Sequence, residues 1–333
     1  MMFKHHRRAL LALPALALVL ATAACSGGGK APDTNTGGGT GGQQADTPKM
    51  TVALISHAPV GDAFFDTIIK GAHDAGAKDN IDVKYSSDGD VSKQASLIQT
   101  AIDSKVDGIA VTLPDPPAIA PAVKKAIAAG IPVVAFNAGI GQYSESGALS
   151  YFGSDESLAG QTGGTRATQD GFKHMLCVVQ FQGQVQLEAR CAGAQSTFKG
   201  KYDKIYVNGS DLPSVRTTIA AKMKQDPSID FVLTLGAPIA LNAIDAIKDA
   251  NSKAKVATFD FNPQIPPKIE SGDLQFAIDQ QPYLQGYEAI DSLWLYKVNG
   301  NILGGGKPTL TGPFLVDKAN IAVVGKFAAN GTR

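Results

Sequence analysis

DGIAVTLPDPPAIAPAVKKAIAAGIPVVAFNAG, residues 107–139, decides the fold. Two short apolar runs, Gly108–Thr112 and Pro132–Phe136, flank a helical pattern over Ala118–Ala129 that Gly130 closes. Runs without polar alternation read as strands buried on both faces. A strand, helix and strand at this spacing make neighbouring parallel strands joined by a crossover helix. Upstream, the same grammar gives strand Thr51–Ser56, helix Ala63–Lys78, strand Asp82–Ser86 and helix Val91–Ser104. In the last of these, Ala95, Ile98 and Ile102 share a face and Asp90 is the N-cap. The first half of the chain is therefore a βαβαβαβ lobe.

Downstream the pattern restarts. Strands at Tyr151–Phe152, Met175–Val179, Ile205–Val207, Phe231–Leu235, Val256–Phe259 and Leu274–Ile278 precede helical segments at Ser157–Asp170, Leu187–Phe198, Ser214–Gln225, Ile239–Ala250, Pro266–Glu270 and Leu284–Val298. With 333 residues, 44% hydrophobic and 18% charged, the chain suits two packed α/β lobes and excludes a disordered or collagen-like polymer. The 30 basic and 30 acidic side chains cancel, so no positive excess is available to track nucleic acid. A ligand is expected where strand ends of the two lobes face each other across a cleft.

The start of the chain reads as an address. Lys4, Arg7 and Arg8 precede an apolar run from Ala9 to Ala21, about 13 residues against the roughly 20 that span a bilayer, so positions 1–24 form an export signal. Thr22-Ala23-Ala24-Cys25 resembles the bacterial lipoprotein box, which implies cleavage before Cys25 and lipidation of its thiol on the outer face of the cytoplasmic membrane. An ordinary secretory signal with an incidental cysteine is the alternative. Residues 25–49 are rich in Gly and poor in large apolar side chains and read as a flexible tether. Loss of the signal removes three bases and no acid, leaving the exported part mildly acidic. Cys177 and Cys191 are then an even pair in an oxidising compartment, compatible with a disulfide closing a loop of about 15 residues. Two buried thiols or a metal site are the alternatives, the latter without a CxxC or histidine-rich partner.

No GxxxxGK[ST], HExxH, GxSxG or EF-hand loop occurs, and beyond the signal only His57, His73 and His174 could serve a nucleophile. Catalytic residues and cofactors are therefore not expected. The first strand leads instead into His57, Asp62, Phe64 and Phe65. Paired aromatics beside a carboxylate suit a sugar or polyol, whose C–H faces stack while its hydroxyls hydrogen-bond.

SHAPVGDAFFDTIIKGA (56–72), the opening stretch, YFGSDESLAGQ (151–161), LEARCAG (187–193), ATFDFNPQIPPKIESGDLQFAIDQQPYLQGY (257–287) and LTGPFLV (310–316) together resemble the ribose-type (type I) periplasmic sugar-binding proteins of ABC importers. The resemblance runs from Met50 to Val324. It implies two Rossmann-like lobes with parallel sheets joined by a three-segment hinge, one of residues 50–152 plus 282–312 and the other of 153–281 plus 313–330. A neutral sugar or polyol would be bound between them by a monomer and handed to a permease powered by an ATPase. Carried over by motif, Asp62, Phe64 and Phe65 form the first cleft turn, Arg190 reaches sugar oxygens, and Asp260 is the acidic ligand. Asn137 stands where members often place Asp, and Gln280 is the cleft glutamine at a crossing. The pattern departs at Asn137-Ala138, where Asp-Arg is common, and at Gly236-Ala237-Pro238, where Asn-Asp is common. His57 adds a polar group, so a hexose in furanose form or a polyol is expected in place of ribose. A receptor for a sensor or chemotaxis protein, or a lipid-anchored hydrolase, are the alternatives.

Structural roles stand beside each of these. Arg190 also reads as a surface helix residue, Asp260 as a cap of the next turn, and Asn137 as a positive-φ turn residue. Gln280 reads as a solvated loop residue, Phe64 and Phe65 as the buried start of a helix, and His57 as a satisfied structural histidine.

Overall fold

The computed structural model describes residues 44–59 and 61–333. The signal, Cys25 and the tether as far as position 43 lie outside the described residues.

The first sheet has the order β2-β1-β3-β4-β5-β11 and is parallel throughout. It comprises β1 (Met50–Ser56), β2 (Ile81–Ser87), β3 (Gly108–Val111), β4 (Val133–Phe136), β5 (Tyr151–Ser154) and β11 (Thr309–Gly312). Around it lie α1 (Ala63–Asp79), α2 (Val91–Asp103), α3 (Pro116–Ala128) and α9 (Pro282–Asn299). Side chains alternate along each strand, so Val52 and Leu54 pack with Phe65, Ile68 and Leu293 on the face of α1 and α9. Ala53 and Ile55 pack with Ile98, Ile119 and Val123 on the face of α2 and α3. Covering both faces is what makes the central strands apolar without alternation.

The second sheet has the order β7-β6-β8-β9-β10-β12, parallel except for the β10/β12 pair. It comprises β6 (His174–Val179), β7 (Lys201–Tyr206), β8 (Phe231–Thr234), β9 (Lys255–Phe259), β10 (Leu274–Asp279) and β12 (Phe314–Asp317). Its helices are α4 (Glu156–Gln169), α5 (Val185–Thr197), α6 (Leu212–Gln225), α7 (Ala237–Asp249), α8 (Ile265–Ser271) and α10 (Ile321–Ala329). The chain passes between the sheets after β5, between β10 and α9, and between β11 and β12. The boundary expected between residues 152 and 153 falls inside β5, whose pairing with β11 keeps Gly153 and Ser154 in the first sheet.

Two sequence readings change. The tether was expected to run through Lys49, but its end is docked: Ala45 N–H donates to Lys78 O (2.8 Å), Asn80 Nδ2 to Thr47 O (2.7 Å) and Trp294 Nε1 to Thr47 Oγ1 (3.1 Å). These bonds occupy polar groups at the end of α1 and on α9 that otherwise need water. β7 covers Lys201–Tyr206 rather than Ile205–Val207. It is an edge strand, half exposed and studded with charge, so its apolar signal is weak.

Asp62, Asp90, Asp115, Asp155 and Asp211 each accept a hydrogen bond from a backbone N–H of the helix they precede. α4 and α5 touch backbone to backbone. A Cβ on Gly160 would stand 2.1 Å from Arg190 O, and one on Gly193 2.2 Å from Ser157 O. That approach sets Arg190 against Glu156.

Candidate functional site

The strands of both sheets end at one crevice, where a parallel α/β sheet directs its loops. A cavity of about 560 Å³ lies there, and His57, Asp62, Phe64, Phe65, Asn137, Arg190, Asp260 and Gln280 all line it. His57 and Asn137 follow β1 and β4, Asp62 caps α1, Asp260 follows β9, and Gln280 follows β10 at a crossing. Arg190 projects from α5.

Arg190 is buried rather than on a surface helix, with 2% of its area exposed. Its Nε donates to Glu156 Oε2 (2.6 Å), Nη2 to Glu156 Oε1 (3.2 Å) and Nη1 to Leu235 O (3.0 Å), with Asp260 Oδ2 at 3.5 Å. The guanidinium lies 4.7 Å from the centre of the Phe259 ring, a cation–π contact. Burial opposes its charge, but Glu156 and Asp260 outweigh that and hold its pKa above the usual arginine value. Burial in turn raises Glu156, with Arg190 pulling the other way. Burial pushes Asp260 up to about 7 against the opposing pull of Arg190 and of the Gln280 amide, which donates to Asp260 Oδ1. Asp260 sits at φ +70, a conformation costly for an ordinary side chain, and caps no helix by its side chain. Strain of this kind clusters at ligand sites.

Asn137 also has positive φ, at +62, so the turn reading and the site reading both describe it. Its Nδ2 donates to Gln285 Oε1 (3.1 Å), and its carbonyl accepts from the Tyr151 hydroxyl (2.8 Å). Gln280 is buried, its carbonyl accepting from Thr311 Oγ1 (2.6 Å). Phe65 joins the core and meets Phe64 edge to face at 5.4 Å, while Phe64 is half buried. Burial raises the Asp62 carboxyl, although the bond from Phe64 N–H (3.0 Å) opposes this.

His57 bonds through Nδ1 with Thr112 Oγ1 (2.8 Å), and its Nε2 lies 3.1 Å from Gln186 Nε2 on α5. Burial, then the charge of Arg190, lowers its pKa to about 3, so the ring is neutral. With both ring nitrogens engaged, the histidine of this cavity has no free lone pair to activate a nucleophile. A second contact reaches from the first sheet's loops to α5: Val185 N–H donates to Pro114 O (3.1 Å).

Gln180, Gln184 and Gln186 also line the cavity, and none was singled out in the sequence. Gln180 directly follows β6, just as Asp260 follows β9, and that position was the available signal. Gln184 and Gln186 begin a helix with no distinguishing motif. The cavity thus offers amides, carboxylates and one cation already matched by carboxylates, beside the rings of Phe64, Phe65, Phe181 and Phe261. Such a lining fits an uncharged, hydroxyl-rich molecule with apolar faces.

A sequence model described as the periplasmic binding protein domain matches residues 52–301. Among solved structures, a carbohydrate transporter from Acidothermus cellulolyticus 11B in complex with myo-inositol is 67% identical, with a TM-score of 0.85, and the match covers 86% of this chain and 100% of that one. The xylose/arabinose-binding protein of Sulfolobus acidocaldarius is 26% identical over 283 residues, 79% of this chain and 70% of the relative. The ribose import binding protein of Bacillus subtilis is 24% identical over 250 residues, 73% of this chain and 80% of the relative.

Proposed function

The chain belongs to the periplasmic binding protein family, and on that footing we propose that it captures myo-inositol or a closely related neutral polyol and presents it, chemically unchanged, to an ABC permease. The observation that carries this reading is the convergence of Arg190, Glu156 and Asp260 into one hydrogen-bonded group at a cavity also lined by amides, aromatics and the Asp62 carboxylate. An anionic ligand would meet no unmatched cation there, since Arg190 is paired and His57 is neutral. A polyol exchanges water for the Asp, Asn, Gln and Arg groups, and bonds to ionised groups are worth about 1.5–3 kcal/mol each. The relative that is 67% identical and holds myo-inositol supports the choice of a cyclic polyol over a pentose.

The mechanism is a hinged clamp. The contacts His57–Gln186 and Pro114–Val185 join loops of the first sheet to α5, and they belong to the closed shape. A ligand shifts the balance toward closure only by binding the closed form more tightly. The site's histidine is engaged through both ring nitrogens and activates no nucleophile, which favours binding without turnover.

In this reading Cys25 is lipidated, the Gly-rich segment spaces a monomeric domain from the outer face of the cytoplasmic membrane, and the permease and its ATPase lie beneath it. Cys25→Ser is expected to move the chain from the membrane fraction to the soluble one. The ligand class is tested by thermal shift against pentoses, hexoses and polyols. A ligand at a thousand times its Kd stabilises by about 4 kcal/mol, so myo-inositol is expected to raise the melting temperature by several degrees. If no neutral sugar or polyol does so, the proposal fails.

A further inference from the structure

Gly236 lines the cavity two residues after β8, at the N-cap of α7. Its backbone, at φ −170 and ψ 148, is extended and open to any residue. Packing does not demand glycine either. A Cβ built there meets a single atom within 4 Å, Gln180 Nε2 at 3.2 Å, whereas a Cβ on Gly160 or Gly193 would strike backbone. A capping side chain would even help the helix, since α7 starts without one while α1, α2, α3, α4 and α6 are capped by aspartates. What glycine supplies at this position is room on the cavity wall.

Beside that room lies an amide with bonding capacity to spare. Gln180 donates through Nε2 to Leu235 O at 3.3 Å, which engages one of its two N–H groups, and its buried Oε1 has no partner among the described residues. The second N–H of Nε2, the atom 3.2 Å from the Cβ position of Gly236, is the group placed to meet a ligand hydroxyl at the adjoining wall.

We propose that Gly236 and Gln180 form a hydroxyl-reading notch in the wall contributed by the second sheet: the bare Cα leaves space for one ring hydroxyl, and the Gln180 carboxamide hydrogen-bonds to it. This rests on the reading of the cleft as a polyol site and deepens it into a selectivity. Myo-inositol carries a hydroxyl on every ring carbon, so one always meets the notch. A ring with a methylene at that position leaves the carboxamide unpaired. Ala237 and Pro238 continue the wall without a polar side chain, so Gln180 is the hydrogen-bonding group beside the vacated volume.

The test is calorimetric titration of the wild type, Gly236→Ala and Gln180→Ala with myo-inositol and with each monodeoxy-inositol. Gly236→Ala is expected to weaken myo-inositol by at least about tenfold. One deoxy analogue, the one missing the hydroxyl that enters the notch, should keep its wild-type affinity to within about threefold in both variants. The melting temperature of Gly236→Ala without ligand should match the wild type, because the extended backbone accepts alanine and the atom its Cβ approaches is the end of a side chain. Equal losses across the whole panel, or a Gly236→Ala protein that binds myo-inositol as the wild type does, would overturn the notch while leaving the polyol reading standing. Wild-type protein that binds none of these ligands overturns the polyol reading and the notch with it.

Discussion

Replacing Arg190 by alanine is expected to damage the fold as well as the site, although the cleft residues as a group read as ligand contacts from sequence. The side chain is buried, bonded through Nε and Nη2 to Glu156, through Nη1 to Leu235 O, and 3.5 Å from Asp260. Its loss leaves two buried carboxylates without their cation. Breaking a buried ion pair from one side costs about 3–5 kcal/mol. At about 2–4 °C per kcal/mol in a domain of this size, the melting temperature should fall by roughly 6–20 °C. Ligand affinity should fall by more than about tenfold at the same time, from the lost charged hydrogen bond. Burial already raises Glu156 and Asp260 above their unfolded values, and without Arg190 they rise further. Groups raised in the folded state bind extra protons there, so stability falls as pH rises through the gap between unfolded and folded values. The deficit of Arg190→Ala is therefore smaller near about pH 5 than near about pH 8. Urea unfolding at both pH values reads this directly. The double variant Arg190→Met with Glu156→Gln should regain most of the stability and none of the binding. An Arg190→Ala protein within about 1 kcal/mol of wild type, or a double variant no more stable than the single, would refute the triad as the organiser of the site.

Asp260, at about 7 when folded and about 3.9 when unfolded, makes the unliganded chain less stable as pH rises from about 4 to 7. Hydroxyls donating to its carboxylate favour the ionised form, so ligand affinity should rise from about pH 6 to pH 8 with release of a proton. A flat affinity over that range, with no proton released in buffers of differing ionisation heat, contradicts it. Gln186→Leu removes the contact with His57 and should speed ligand release by about 2- to 12-fold, as expected for a bond of about 0.5–1.5 kcal/mol. Association should be unchanged, and stopped-flow kinetics showing the loss in association instead would disprove the contact's role in closure. Cys177 and Cys191 are bonded in the structure and both buried. Replacing both by serine should cost about 3 kcal/mol in urea unfolding, and an unchanged midpoint would count against the bond.

The architecture was legible because parallel strands covered on both faces, such as GIAV in β3 and VVAF in β4, leave short unbroken apolar runs that alternate with longer helical patterns. The cleft positions were legible for a related reason: residues directly after such strands, His57, Asn137 and Asp260 among them, are carried to the crevice by topology. Glu156 was not, because a glutamate opening a helix usually serves the helix dipole. Only the glycine-mediated approach of α4 to α5 buries it against Arg190. Gln186 was hidden because its partner His57 is distant in sequence and meets it across the cleft. The short strands β11 and β12 carried no legible pattern of their own, and only the family resemblance implied a tail strand, since strands of four residues around a proline carry little periodicity.

The most direct measurement is calorimetric titration of the chain with myo-inositol, followed by mass analysis of the recovered ligand. A saturable heat at one ligand per chain, with the polyol recovered unaltered, is the outcome expected of a clamp that binds without chemistry. Absence of heat with myo-inositol and every other neutral sugar or polyol, or the appearance of a converted product, would contradict it.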